Sequence, residues 1–161
     1  MSGSRRLHAY VAAVIVLGTI AAVAVLAFGS HELSRLAEPE LLVLAACTLL
    51  GELLPLKVYA RGAEGETVAS PPFALALLIA GGIEAALVGL LLANLIADMI
   101  RRKPAHKIAF NMSQYALSLV AAGAVLAALS DVPRAGEVHF APGDVPAILA
   151  AALVFFLVGT S

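Results

Sequence analysis

Residues 71–114 read PPFALALLIAGGIEAALVGLLLANLIADMIRRKPAHKIAFNMSQ. The first thirty hold no Lys or Arg, and their only carboxylates are Glu84 and Asp98. A straight helix of that length would run about 45 Å, well past the ~30 Å hydrocarbon core of a bilayer. The paired glycines Gly81 and Gly82, followed by Glu84, mark the place where such a helix can turn back. Whether residues 71–100 cross a membrane once or twice fixes the topology of the whole chain.

The distribution of cations decides between the two. With two crossings, six passes in all and a cytoplasmic N-terminus, the inner segments hold Arg5, Arg6, Lys57, Arg61, Arg101, Arg102, Lys103 and Lys107. The outer segments hold only Arg35 and Arg134. With one crossing, the basic loop at 101–107 moves outside and the ten cations divide evenly. The charge rule therefore predicts a hairpin turning at 81–84. Its first arm, residues 72–80, is short for a full crossing, as a tilted or re-entrant segment shielded by protein would be.

Composition agrees with a membrane setting. The 161 residues are 61% hydrophobic and only 13% charged, with mean hydropathy +0.99. A soluble domain is nearer half apolar and a quarter charged. The other apolar runs are residues 9–28, 40–56, 109–130 and 145–161. The run at 9–28 follows Arg5 and Arg6. It is longer than the apolar region of a cleaved signal peptide and reads as an uncleaved anchor. The polar stretch 57–70 has extended runs around a turn at 62–65, a pattern that fits either a small hairpin or an irregular loop.

The expected fold is thus an all-α polytopic membrane helix bundle with about six transmembrane segments and a short third span. Residues 1–161 form one integral-membrane module. Ala85, Gly89, Ala93 and Ala97, four residues apart, predict a close packing face, with Gly18 and Ala22 as a shorter version in the first helix.

Against this apolar background the polar residues stand out. Asn94 and Asp98 share a helix face, as do Asn111, Gln114 and Ser118 after the basic loop. A tight connection through Pro104 makes the two helices antiparallel neighbours whose polar faces meet under the membrane surface. Two readings follow for the cluster Glu52, Asn94, Asp98, Asn111 and Gln114. It locks a helical hairpin to the cytoplasmic boundary, with Asp98 paired to Arg101, Arg102 or Lys107, or it binds a ligand or ion. Glu52 either reaches Lys57 or the loop of Arg101, Arg102, Lys103 and Lys107, or serves a function as an ionisable group inside a span. Glu84 is expected to be solvated at the external turn.

Catalytic and metal signals are missing from the sequence. His8, His31, His106 and His139 are scattered without metal-ligand spacing. Cys47 is the only cysteine, which excludes a disulfide framework within the chain and reads as a small core residue. There is no Ser/His/Asp set, phosphate-binding glycine loop or CxxC. No catalytic centre, metal or cofactor is expected, and nothing indicates nucleic-acid binding.

GELLPLKV at 51–58 and GETVASPPFALALLIAGGIEAALVGLLLANLIADMIRRKPAHKIAFNMSQYALS at 65–118 resemble a known type of region. It is the N-terminal multi-pass membrane (sensor-type) region of bacterial GGDEF, EAL or HD-type signalling proteins, which turn over cyclic dinucleotides. The likeness spans roughly residues 50–119. Its most recognisable part is Asp98, the basic loop with Pro104 and Lys107, then Phe110, Asn111 and Gln114.

The resemblance implies a sensory or anchoring module in the bacterial inner membrane, with a C-terminal cytoplasmic signalling domain in cis and self-association as a homodimer. It also implies that the chain stops before that output domain, to which any cyclic-di-GMP chemistry would belong. The general shape is similar, too, to the substrate-binding membrane subunits of vitamin transporters, which provide the alternative reading.

Overall fold

The computed structural model describes residues 2–29, 36–60, 63–130 and 141–159; side chains of 2–5 and 56–66 are outside the description. Arg35, Arg134, His31 and His139, and the side chains of Arg5, Lys57 and Arg61, therefore lie outside the described residues.

Among the described residues, five α-helices and one two-stranded hairpin follow in the order α1 (Ser2–Phe28), α2 (Pro39–Leu53), β1 (Leu56–Ala60), β2 (Ala63–Thr67), α3 (Ser70–Ile100), α4 (Ala105–Leu129) and α5 (Val145–Gly159). Among the described residues, four helical stretches are long and apolar enough to cross a membrane: Arg6–Phe28, Ser70–Ile100, Ala105–Leu129 and Pro142–Gly159. The fold is an all-α bundle with a small β appendage. Strands β1 and β2 pair antiparallel with Ala60 opposite Ala63. The expected turn at 62–65 is thus displaced, because residues 63–65 already belong to β2.

Helix α3 carries the feature anticipated at the glycine pair. Gly82 has φ 80° and ψ 177°, a non-helical conformation inside the segment that is essentially confined to glycine. The two arms fold against each other. Leu77 Cδ1 lies 2.9 Å from where a Cβ on Gly89 would stand, whereas twelve residues along a straight helix span about 18 Å. Gly123 of α4 likewise has Leu78 and Ile83, one from each arm, beside it. Prolines in the first turn of α3 start the helix without losing a needed N–H.

The bundle has two distinct ends. At one, Ala69 N–H donates to Gly51 O at 3.2 Å, Arg101 donates to Glu52 O and Gln114 reaches Gly159 O. This basic end gathers the close of α2, both termini of α3, the start of α4 and the close of α5. At the other, Gly29 packs against Glu84, Gly81 against Leu41, and Ser130 Oγ donates to Asp144 Oδ1 at 2.6 Å.

Helices α3 and α4 form the centre. Ala74, Leu77, Leu87, Leu90, Leu119 and Ala122 are fully buried there, joined by Leu41 of α2 and Ala151 and Phe155 of α5. Ala85, Gly89, Ala93 and Ala97 are all buried, as the small-residue spacing predicts. Gly18 of α1 touches the backbone of Ser113 in α4. Outward apolar residues such as Val16, Ile20, Leu92, Leu149 and Leu153 are exposed, the arrangement expected where lipid rather than water surrounds the bundle.

Candidate functional site

The turn between α3 and α4 sets the basic end. Arg102 N–H donates to Met99 O and Lys103 N–H to Asp98 O, both at 3.0 Å, while Arg102 takes φ 52°. This is a Schellman closure with a non-glycine residue in the left-handed position. Pro104 then caps α4 in an extended conformation. The tight turn swings Lys103 back over the end of α3. His106 and Lys107, expected in the loop, lie on the first turn of α4.

Asp98 is 0% exposed. Its Oδ2 accepts from Asn111 Nδ2 at 2.9 Å. Its Oδ1 has the Lys103 ammonium at 2.5 Å but no directed hydrogen bond. The cation is therefore Lys103, not Arg101, Arg102 or Lys107, because the Schellman turn directs Lys103 inward.

Glu52 is also buried, at 1% exposure. Ser70 Oγ donates to its Oε1 at 2.6 Å, and Tyr115 stands beside Glu52 in the wall of the same cavity. Arg101 meets Glu52 through the backbone carbonyl. So the loop does reach Glu52, but not at its carboxylate. Gly51 makes the arrangement possible: a Cβ there would lie 2.6 Å from Ser70 N, so only glycine lets α3 start this close to α2.

Gln114 departs from the expected partnership with α3. Its Nε2 donates to Gly159 O at 2.7 Å, tying α4 to the end of α5. Ser118 Oγ turns back to Gln114 O at 2.9 Å. Glu84 is a correction: it is 7% exposed, not solvated, because Gly29 at the close of α1 covers it.

Asn94, Asn111, Gln114, Glu52 and Tyr115 surround a cavity of about 170 Å³ whose wall also includes Arg101, Lys103 and Gly159. Asn94 is 2% exposed, and its Oδ1 has no hydrogen-bond partner. Four of the five polar residues singled out in the sequence line this space, and Asp98 braces Asn111 behind it. Sequence reasoning missed Ser70 and Tyr115. Ser70 looked like the last residue of a loop, and Tyr115 like an ordinary aromatic in an apolar run. Among the described residues, no group of three or more His, Cys, Asp or Glu side chains is placed to hold a metal ion.

Fold and site together define a polytopic membrane bundle with a polar cavity at its basic end. No family model, curated protein or solved structure matches the chain.

Proposed function

We propose that the chain is the membrane-embedded sensory or anchoring module of a bacterial signal-transduction protein. It sits in the inner membrane with six passes and a cytoplasmic N-terminus. A change at the basic end is relayed through α5 to a cytoplasmic domain in cis, of the class that turns over cyclic-di-GMP. The observation that carries the relay is the hydrogen bond from Gln114 to the Gly159 carbonyl. It makes the close of α5 one wall of the polar cavity, so a change in the cavity acts on α5 directly. The break at Gly82 and the contact across the two arms of α3 support the count of six. The cations Arg101, Arg102, Lys103 and Lys107 at one end support its cytoplasmic placement. The nature of the output domain rests on the resemblance of residues 50–119 alone.

Single cysteines in a Cys47→Ala background test both parts. Ala105→Cys should resist a membrane-impermeant reagent in intact cells and react after permeabilisation; labelling in intact cells would refute the topology. Val158→Cys reports on the end of α5. Its reactivity should rise when Gln114→Leu removes the tether, and unchanged reactivity would refute the coupling.

A further inference from the structure

We infer that the cavity at the basic end is a binding site for a small zwitterion of amino-acid size, its ammonium held inside and its carboxylate at the mouth. The inner wall is a set of acceptors. Asn94 Oδ1 is buried without a protein partner, and Glu52 stands in the same wall. The Asn111 amide nitrogen is fixed by Asp98 and the Gln114 amide nitrogen by the Gly159 carbonyl. Both partners can only accept, so each amide has its carbonyl oxygen left over. Four residues with side-chain oxygens thus line the space where a ligand would sit.

The mouth has the opposite character. Arg101 is exposed and Lys103 is 32% exposed. Among the described residues, Arg101 donates to Glu52 O and Lys103 meets the Asp98 carboxylate. A guanidinium has five N–H donors and an ammonium three, so both keep donors for an anion. With Glu52, Asp98, Arg101 and Lys103 the site sums to zero charge. A ligand carrying one charge of either sign would unbalance it, and a zwitterion does not. Size sets the rest. A cavity of about 150 Å³ accepts benzene, so about 170 Å³ suits roughly six to eight heavy atoms, the range from alanine to threonine.

Purified protein in nanodiscs is titrated with L-alanine, L-serine and L-threonine, and binding is read by calorimetry and by the unfolding temperature. Propionate, lacking the ammonium, and ethanolamine, lacking the carboxylate, serve as comparators. At least one amino acid should bind and raise the unfolding temperature, and both comparators should bind at least tenfold more weakly. Asn94→Leu should weaken binding at least tenfold, as expected for loss of an acceptor to a charged donor, without lowering the unfolding temperature of the free protein.

Gly159→Leu provides a second variant. A Cβ there has only Ser118 Oγ within 4 Å, at 3.4 Å, and Gly159 is itself a wall residue, so bulk added there should distort the wall and weaken binding. No binding by any of the three amino acids overturns the inference. So does equal binding of either comparator, or binding undiminished in both variants. These outcomes are independent of the Val158→Cys reactivity that tests the relay, so either idea can fail alone.

Discussion

Asp98 and Lys103 are paired, yet removing one should cost much more than removing the other. Asp98 is 0% exposed and Lys103 is 32% exposed. Lys103→Met keeps the aliphatic stem and removes the ammonium, stranding a buried carboxylate that, among the described residues, keeps only the Asn111 amide as a donor. Breaking a buried pair from the side that leaves a charge inside costs about 3–5 kcal/mol. Asp98→Asn leaves a lysine that can swing to water, and the new amide still accepts from Asn111. Its cost should be nearer 1–2 kcal/mol, that of one weakened buried polar contact. The double variant strands nothing, so it should be more stable than Lys103→Met alone, with a coupling of about 1–3 kcal/mol.

The assay is reversible unfolding in mixed micelles titrated with SDS. The chain has no Trp, so helix content by circular dichroism reports the transition. Thiol labelling of the half-buried Cys47 gives an independent probe. Strict additivity, or a Lys103→Met variant milder than Asp98→Asn, would refute the boundary pair.

Other positions give sharp expectations in the same assay. Gly82→Ala should destabilise by about 1–3 kcal/mol, because φ 80° with ψ 177° is strained for any side chain; a neutral outcome would mean α3 does not break there. Arg102→Gly should stabilise by about 1 kcal/mol by relieving the left-handed residue of the Schellman turn; a loss of stability would mean the guanidinium has a structural partner. Gly18→Leu should disrupt the α1–α4 contact, since a Cβ there collides with Ser113, whereas Leu92→Ile on the exposed face should change the unfolding temperature little. Similar tolerance at the two positions would remove α1 from the packed bundle.

Much of this arrangement was legible in the sequence because it follows from depth and periodicity. The break at the glycine pair came from an apolar run too long for one crossing. Burial of Ala85, Gly89, Ala93 and Ala97 came from a spacing of four. Depth also brought Asn94, Asp98, Asn111 and Gln114 to one end. Partner choice was not legible, because it depends on the rotation of each helix and on the turn between them. Lys103, rather than Arg101, Arg102 or Lys107, is the cation on Asp98 through a Schellman closure that no glycine advertised. Gln114 found α5, a helix distant in sequence, and Glu84 was covered by Gly29 from another element. In each case the residue was recognisable as out of place in lipid, while its partner was set by tertiary packing.

A boundary lock alone does not account for the basic end. A lock is most stable when every buried polar group is satisfied, since a half-satisfied network is worse than an apolar core. Glu52 follows that rule through Ser70, and Asp98 largely does through Asn111 and Lys103. Asn94 breaks it, with a buried acceptor that has no partner within the protein, in the cavity wall one helical turn before Asp98. An unmade hydrogen bond of that kind costs about 1–3 kcal/mol, and a leucine at the same position would avoid it. Groups that break a local rule beside others that obey it are where function is expected to oppose stability. Asp98, Asn111 and Lys103 thus join α3 to α4, while Asn94 contributes an acceptor without a protein partner to the space that the close of α5 helps to wall.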